Sequence, residues 1–166
     1  MEFDRRVQVR ARRPGAETRV FGSGYLIAPR LVLTAAHVLA DAPSDAVTVA
    51  RPDVSGQEFP AVVLWRRRDE TVDAALVEIA ESGDWQTPES LTNPLLRQRF
   101  GRLIGTRPWP VTLTGFPRMQ KDPEGGERWD EQLTGHIAPG TGALAGRYEI
   151  SSTEPRCPCG PGPTTA

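Results

Sequence analysis

One stretch, Gly22 to Val38, constrains the fold more than any other part of the chain. Two short apolar runs, Tyr25–Ala28 and Leu31–Thr34, flank Pro29-Arg30, a pattern that predicts strand, tight turn, strand. The second run delivers His37 just past its end, and the small residues Ala35 and Ala36 let the chain turn sharply there. Val38-Leu39-Ala40 is expected to start a single helical turn whose apolar side anchors the histidine. The imidazole is then presented at the rim of a β framework, a placement suited to shuttling a proton.

The rest of the first half repeats the strand signal. Val7, Val9 and Ala11 alternate with Gln8, Arg10 and Arg12, and Arg13-Pro14-Gly15-Ala16 turns the chain. Residues 19–27 and 31–34 form the second and third strands. Val47–Ala50, Phe59–Trp65 and Ala75–Ile79 follow, separated by Pro52-Asp53, Ser55-Gly56 and Arg68-Asp69-Glu70. Six short strands with little helix imply a closed antiparallel barrel, because closure removes the unpaired edges of such a sheet. Residues 1–84 are therefore expected to form a complete N-terminal six-stranded β-barrel.

Beyond it, 85–106 is broken by Pro88, Pro94, Gly101 and Gly105 and reads as a connection, with Asn93-Pro94 capping a short helix over Leu95–Gln98. Val111–Pro117, Gln132–Ile137 and Arg147–Ile150 are further strands, with hydrophilic or glycine-rich turns at 121–127 and 139–146. Thr153–Ala166 is rich in Pro and Gly and lacks any large apolar residue, so a disordered tail is expected there.

Composition excludes several function classes. Lys and Arg total 20 against 21 Asp and Glu, a net charge of −1, so the balance argues for neither nucleic acid nor an anionic membrane as partner. Arg5, Arg6, Arg10, Arg12 and Arg13, and the run Arg66–Arg68, read as solvated strand faces with acids nearby. No run approaches the roughly 18 apolar residues of a transmembrane helix, and Met1–Arg6 lacks the apolar core of a secretory leader, which predicts a cytoplasmic protein. Cys157 and Cys159 are alone in the chain, so no disulfide framework is expected, and they lack the further ligands of a closed zinc site.

The Gly-Ser-Gly segment at 22–24, Thr34-Ala35-Ala36-His37-Val38, and Val72-Asp73-Ala74-Ala75-Leu76-Val77-Glu78-Ile79 resemble the trypsin-like serine peptidases, in particular the bacterial glutamyl endopeptidases and Htr-type heat-shock peptidases. The resemblance implies an all-β, trypsin-like double β-barrel, with the first barrel complete and 107–152 forming part of the second. It implies a polypeptide substrate hydrolysed by a Ser nucleophile, with His37 as general base and Asp73 orienting it. It implies no metal or organic cofactor. A serine hydroxyl is a poor nucleophile at neutral pH and requires a neutral imidazole to take its proton, and a carboxylate to fix the imidazole's tautomer. The chain order His before Asp is that of the chymotrypsin type.

Each residue has a plainer reading. His37 alone is also a packed or surface histidine, and Asp69 and Asp84 compete with Asp73, although only Asp73 directly precedes an apolar strand. Asp73 is equally readable as a turn carboxylate capping local amides. His136 lies mid-strand without an acid beside it and reads as structural. The family's Gly-x-Ser-Gly nucleophile segment does not occur. Ser23 precedes the base, Ser151 and Ser152 lack flanking glycines, and Thr141 in Gly140-Thr141-Gly142 has a loop rather than a nucleophile context. The expectation is a chain that ends before its nucleophile, near Pro155 where composition changes, with a second chain as one source of the missing strands. The alternative is an inactive pseudo-peptidase acting as a binding or regulatory module, or a remnant without function.

Overall fold

Alternation of side chains builds the barrel. In β1 (Arg6–Arg12), β2 (Arg19–Ala28), β3 (Leu31–Thr34), β4 (Val47–Ala50), β5 (Glu58–Arg68) and β6 (Asp73–Ile79), alternate residues turn to a common interior, in β5 only over its first half, since Leu64–Arg68 are exposed. Val7, Val9, Leu26, Val32, Val47, Val49, Val77 and Ile79 are all at most 1% exposed and form that core. The strands close in the order β1-β2-β3-β6-β5-β4, with every neighbouring pair antiparallel. The computed structural model describes residues 3–15, 19–52, 57–81, 84–93, 106–116, 131–139 and 150–152.

Two glycines of β2 are required by the interior. A Cβ on Gly24 would lie 2.7–2.9 Å from methyl groups of Val32, Val9 and Val7. One on Gly22 would lie 2.3 Å from Val38 Cγ2. Both positions leave room for branched side chains from neighbouring elements, which is why Ser23 between them points outward. On that outer face, register aligns Tyr25, Leu33, Leu76 and Trp65 in one row across four strands. At one end of the barrel Trp85 donates from Nε1 to the Pro29 carbonyl at 2.9 Å and meets Phe59 edge-on at 4.9 Å between centroids.

The barrel strands expected from the sequence are present, with β5 and β6 longer than anticipated. Arg66, Arg67 and Arg68 pair with Ala75, Ala74 and Asp73, so the arginine run continues β5 instead of opening the turn. The register slips between Val63 and Trp65, where Leu64 forms a bulge that re-aims the last part of the strand.

A short helix that the sequence reading did not include, α1 (Glu89–Thr92), starts after Pro88, and Asn93 ends it with an extended backbone (φ −79°, ψ 114°). The residue before a proline is driven out of the helical region, so Asn93-Pro94 terminates this helix. Leu95–Gln98 lie outside the described residues.

Helix α1 is clasped by the chain's start. Arg5, 1% exposed, donates from Nε to Ser90 Oγ at 2.8 Å and from Nη2 to the Ser90 carbonyl. Asp4 accepts from Ser90 N at 3.1 Å and from Ser90 Oγ at 2.6 Å. Burial works against the Asp4 charge, but the Ser90 hydrogen bonds and the Arg5 cation outweigh it and hold its pKa below the usual 3.8. Ser90→Ala is expected to cost about 1 kcal/mol in urea melts at neutral pH. A carboxylate with a lowered folded pKa stabilises above its unfolded value and loses that contribution as pH falls through the folded one. The gap between wild type and Ser90→Ala therefore narrows below pH 3.8.

The chain divides into two compact units, Met1–Gly101 with Thr114–Glu131, and Arg102–Leu113 with Gln132–Ala166. A three-stranded sheet forms from β7 (Trp109–Gly115), β8 (Glu131–Ile137) and β9 (Ile150–Ser152) in that order. Gly135, His136 and Ile137 of β8 pair with Ser152, Ser151 and Ile150. The architecture is all-β, a closed barrel plus part of a second sheet. The expected turn at 121–127, that at 139–146 except Pro139, and the tail, with Thr141, Cys157 and Cys159, lie outside the described residues.

Candidate active site

Register brings the site together. Thr34 near the end of β3 pairs with Ala75 near the start of β6, so the chain leaving β3 emerges beside Asp73. Ala35, extended at φ −81°, ψ 137°, then leads into a 3-10 turn at Ala36–Leu39 that carries His37. Ala36, Val38 and Leu39 are buried and seat the turn on the barrel, while His37 stays exposed. Thr34 Oγ1 donates to the Ser23 carbonyl at 2.8 Å, tying the exit of β3 to β2. Arg66 donates from Nη1 to the Leu39 carbonyl at 3.3 Å, holding the far end of the turn.

Asp73 grips His37 twice. Its Oδ1 accepts the His37 backbone N–H at 2.9 Å, and its Oδ2 lies 2.6 Å from His37 Nδ1. The hydrogen bond from the His37 ring, followed by that from its backbone N–H, holds the Asp73 carboxyl below the ordinary value of 3.8 against a desolvation penalty. The carboxylate is therefore ionised at neutral pH and can only accept, so Nδ1 carries the proton and Nε2 holds the lone pair. Among the described residues Nε2 has no partner, and the ring is 56% exposed. This arrangement can take a proton at Nε2 and stabilise the resulting imidazolium through Asp73.

The competing acids have other places. Asp69 closes the β5–β6 turn, its Oδ1 accepting from Thr71 N, Thr71 Oγ1 and Val72 N, each at 2.8 Å. The Arg67 guanidinium, bound to Oδ2 at 2.5 Å, and those turn donors hold its pKa far below the carboxylate range. The turn-capping role that is one reading of Asp73 thus belongs to Asp69. Asp84 is exposed. Ser23 accepts from Phe116 N at 3.0 Å. Ser23, Tyr25, Leu33, Gly115 and Phe116, with Arg6, line a cavity of about 460 Å³. His136 and Ser151 are exposed in the second unit.

Gly22 and Arg66 support the His37 turn, and the sequence reading assigned neither of them that task. Gly22 sits in a Gly-Ser-Gly segment that signals close backbone approach, but nothing local names Val38 as the neighbour. A cation set against the last carbonyls of a helical turn is a weak signal for Arg66.

Among the described residues no group of three or more His, Cys, Asp or Glu side chains could hold a metal ion. No described helix is long and apolar enough to cross a membrane.

The fold is shared with bacterial proteases. The active form of the Rv3671c protease from M. tuberculosis superposes with a TM-score of 0.54 at 24% identity, over 81% of this chain and 48% of that one. An inactive form of the same protease gives 0.51 at 23% identity, over 81% and 52%. The serine endoprotease from Yersinia pestis gives 0.52 at 23% identity, over 86% and 43%. The chain thus spans about half the length of the solved structures it matches. No curated protein matches it. The model of the trypsin-like peptidase domain matches residues 22–161, from the Gly-Ser-Gly strand through the His37 turn and Asp73 into the C-terminal segment, and the chain belongs to that family.

Proposed function

We propose that the chain is the base-bearing part of a serine endopeptidase, with His37 as general base and then general acid and Asp73 as its orienting partner. The observation that carries this reading is the double grip of Asp73 on His37 at 2.9 and 2.6 Å, which leaves Nε2 of the half-exposed ring without a partner among the described residues. In the reaction, Nε2 accepts the proton of a serine hydroxyl as its oxygen attacks the scissile carbonyl carbon. The imidazolium then gives that proton to the leaving amine, and a water repeats the sequence to release the acyl group. Asp73 stays ionised throughout and keeps the ring in one tautomer. None of the serines in the 166 residues stands in a Gly-x-Ser-Gly segment, so the proposal places the nucleophile outside them.

That same feature favours a second reading, a module that binds polypeptide without cleaving it. Labelling with a fluorophosphonate separates the two. The peptidase reading expects the native polypeptide carrying these residues to label on a serine, and His37→Ala to abolish the label. A folded native protein that never labels and still binds peptides is the binding module.

A further inference from the structure

We infer that the cavity of about 460 Å³ on the barrel's outer face is a binding site for a small apolar molecule carrying one hydrogen-bond-accepting oxygen, and that its occupancy is felt at the His37 turn. The cavity lies between β2 and β3 on one side and Thr114, Gly115 and Phe116 on the other, all within the unit that contains the barrel. Its volume is that of a small-molecule site, and such sites have apolar walls with a few placed polar groups.

The lining fits that pattern. Tyr25 and Leu33, which face each other in the β2–β3 register, and the buried Phe116 supply apolar walls. A Cβ on Gly115 would lie 2.9 Å from Ser23 Oγ, so the glycine keeps that hydroxyl clear.

Two hydroxyls set the chemistry of the ligand. Ser23 Oγ accepts the Phe116 N–H at 3.0 Å, and its own proton has no acceptor among the described residues. With its oxygen in use, the hydroxyl has a donor to offer. Thr114 Oγ1, on the opposite wall, is buried and has no hydrogen-bond partner among the described residues. A buried hydroxyl left unpaired is costly, and a ligand oxygen supplies the acceptor once the threonine side chain turns to meet it. Arg6 is the one charged residue on the lining, and no carboxylate is there, so an accepting oxygen is favoured over a donating group.

The cavity is tied to His37 through the strands that line it. The Ser23 carbonyl accepts from Thr34 Oγ1 at 2.8 Å, and Leu33 directly precedes Thr34. Gly22, next to Ser23, packs against Val38. A ligand resting on Ser23 and Leu33 therefore acts on both strands that seat the 3-10 turn.

The test is a titration of the 15N-labelled native protein with acetophenone and with ethylbenzene, which has the same ring and nearly the same size but no acceptor. Acetophenone is expected to shift the Ser23, Leu33 and Phe116 amides saturably, with a Kd of about 1 mM. The His37 ring protons follow with the same midpoint. Ethylbenzene, compared at equal low concentration, is expected to bind about threefold to tenfold more weakly. Ser23→Ala and Thr114→Val each bring the two probes closer to equal affinity. Leu33→Trp, at a position exposed enough to accept the larger ring, fills the cavity and abolishes binding of both. Absent or unsaturable shifts, shifts centred away from these residues, an acetophenone preference that survives in both hydroxyl variants, or unmoved His37 protons would each overturn the inference. The readout needs no nucleophile, so it stands whichever way fluorophosphonate labelling falls.

Discussion

Asp73→Asn is expected to lower the kcat of peptide hydrolysis by about ten-thousandfold while leaving the fold intact. Asp73 is 43% exposed at the rim of the barrel, so an isosteric amide disturbs no core packing. The amide can, however, donate as well as accept. Once its NH2 faces Nδ1, the ring proton moves to Nε2, and the nitrogen that must receive the serine proton is already occupied. The geometry survives and the chemistry does not. Measured on the native protein, the loss should fall in kcat with KM little changed, and the melting temperature should match wild type. A Asp73→Asn enzyme with more than a tenth of wild-type kcat would show that the carboxylate has no part in setting the tautomer. His37→Ala on the same assay removes the proposed base itself.

Gly22→Ala is expected to destabilise the barrel by about 2–3 kcal/mol, in the upper part of the range for overpacking a core. Its new methyl would sit 2.3 Å from Val38 Cγ2 and 2.7 Å from Val38 Cγ1, well inside contact distance. Val38 is 4% exposed and follows His37 directly, so the collision cannot be relieved without moving the 3-10 turn that carries the imidazole. Activity should therefore fall as well as stability. The double variant Gly22→Ala, Val38→Ala removes the atoms that collide, and it should recover part of the lost stability relative to the sum of the two single changes. Urea denaturation of the four proteins checks this. Strict additivity would mean that the glycine is needed for another reason.

The barrel was legible because its signal is local. Val7, Val9 and Ala11 alternate with polar residues, and the other inward positions are branched or small apolar side chains bounded by turn residues. The His37 turn was legible for the same reason, since Ala35 and Ala36 allow the bend and Val38 and Leu39 supply the anchor. What pairing decides was less visible. The sequence ends the strand at Trp65 and opens the turn at Arg68, yet pairing with Ala75, Ala74 and Asp73 carries β5 through Arg66, Arg67 and Arg68. Asp69 and Asp73 are both carboxylates beside a hairpin, and only the register puts one over the turn amides and the other under His37. The clasp of Arg5 and Asp4 on Ser90 joins residues about 85 positions apart, and no local pattern carries it.

The proposed mechanism requires a neutral imidazole with its proton on Nδ1, held by Asp73, and a free lone pair on Nε2. Long-range 1H–15N correlation spectra of the uniformly labelled chain at a pH where His37 is neutral read that tautomer directly. The expected result is a protonated Nδ1 and an unprotonated Nε2, with Nδ1 losing its proton in Asp73→Asn. A wild-type ring protonated at Nε2, or an even mixture unchanged by Asp73→Asn, would contradict it.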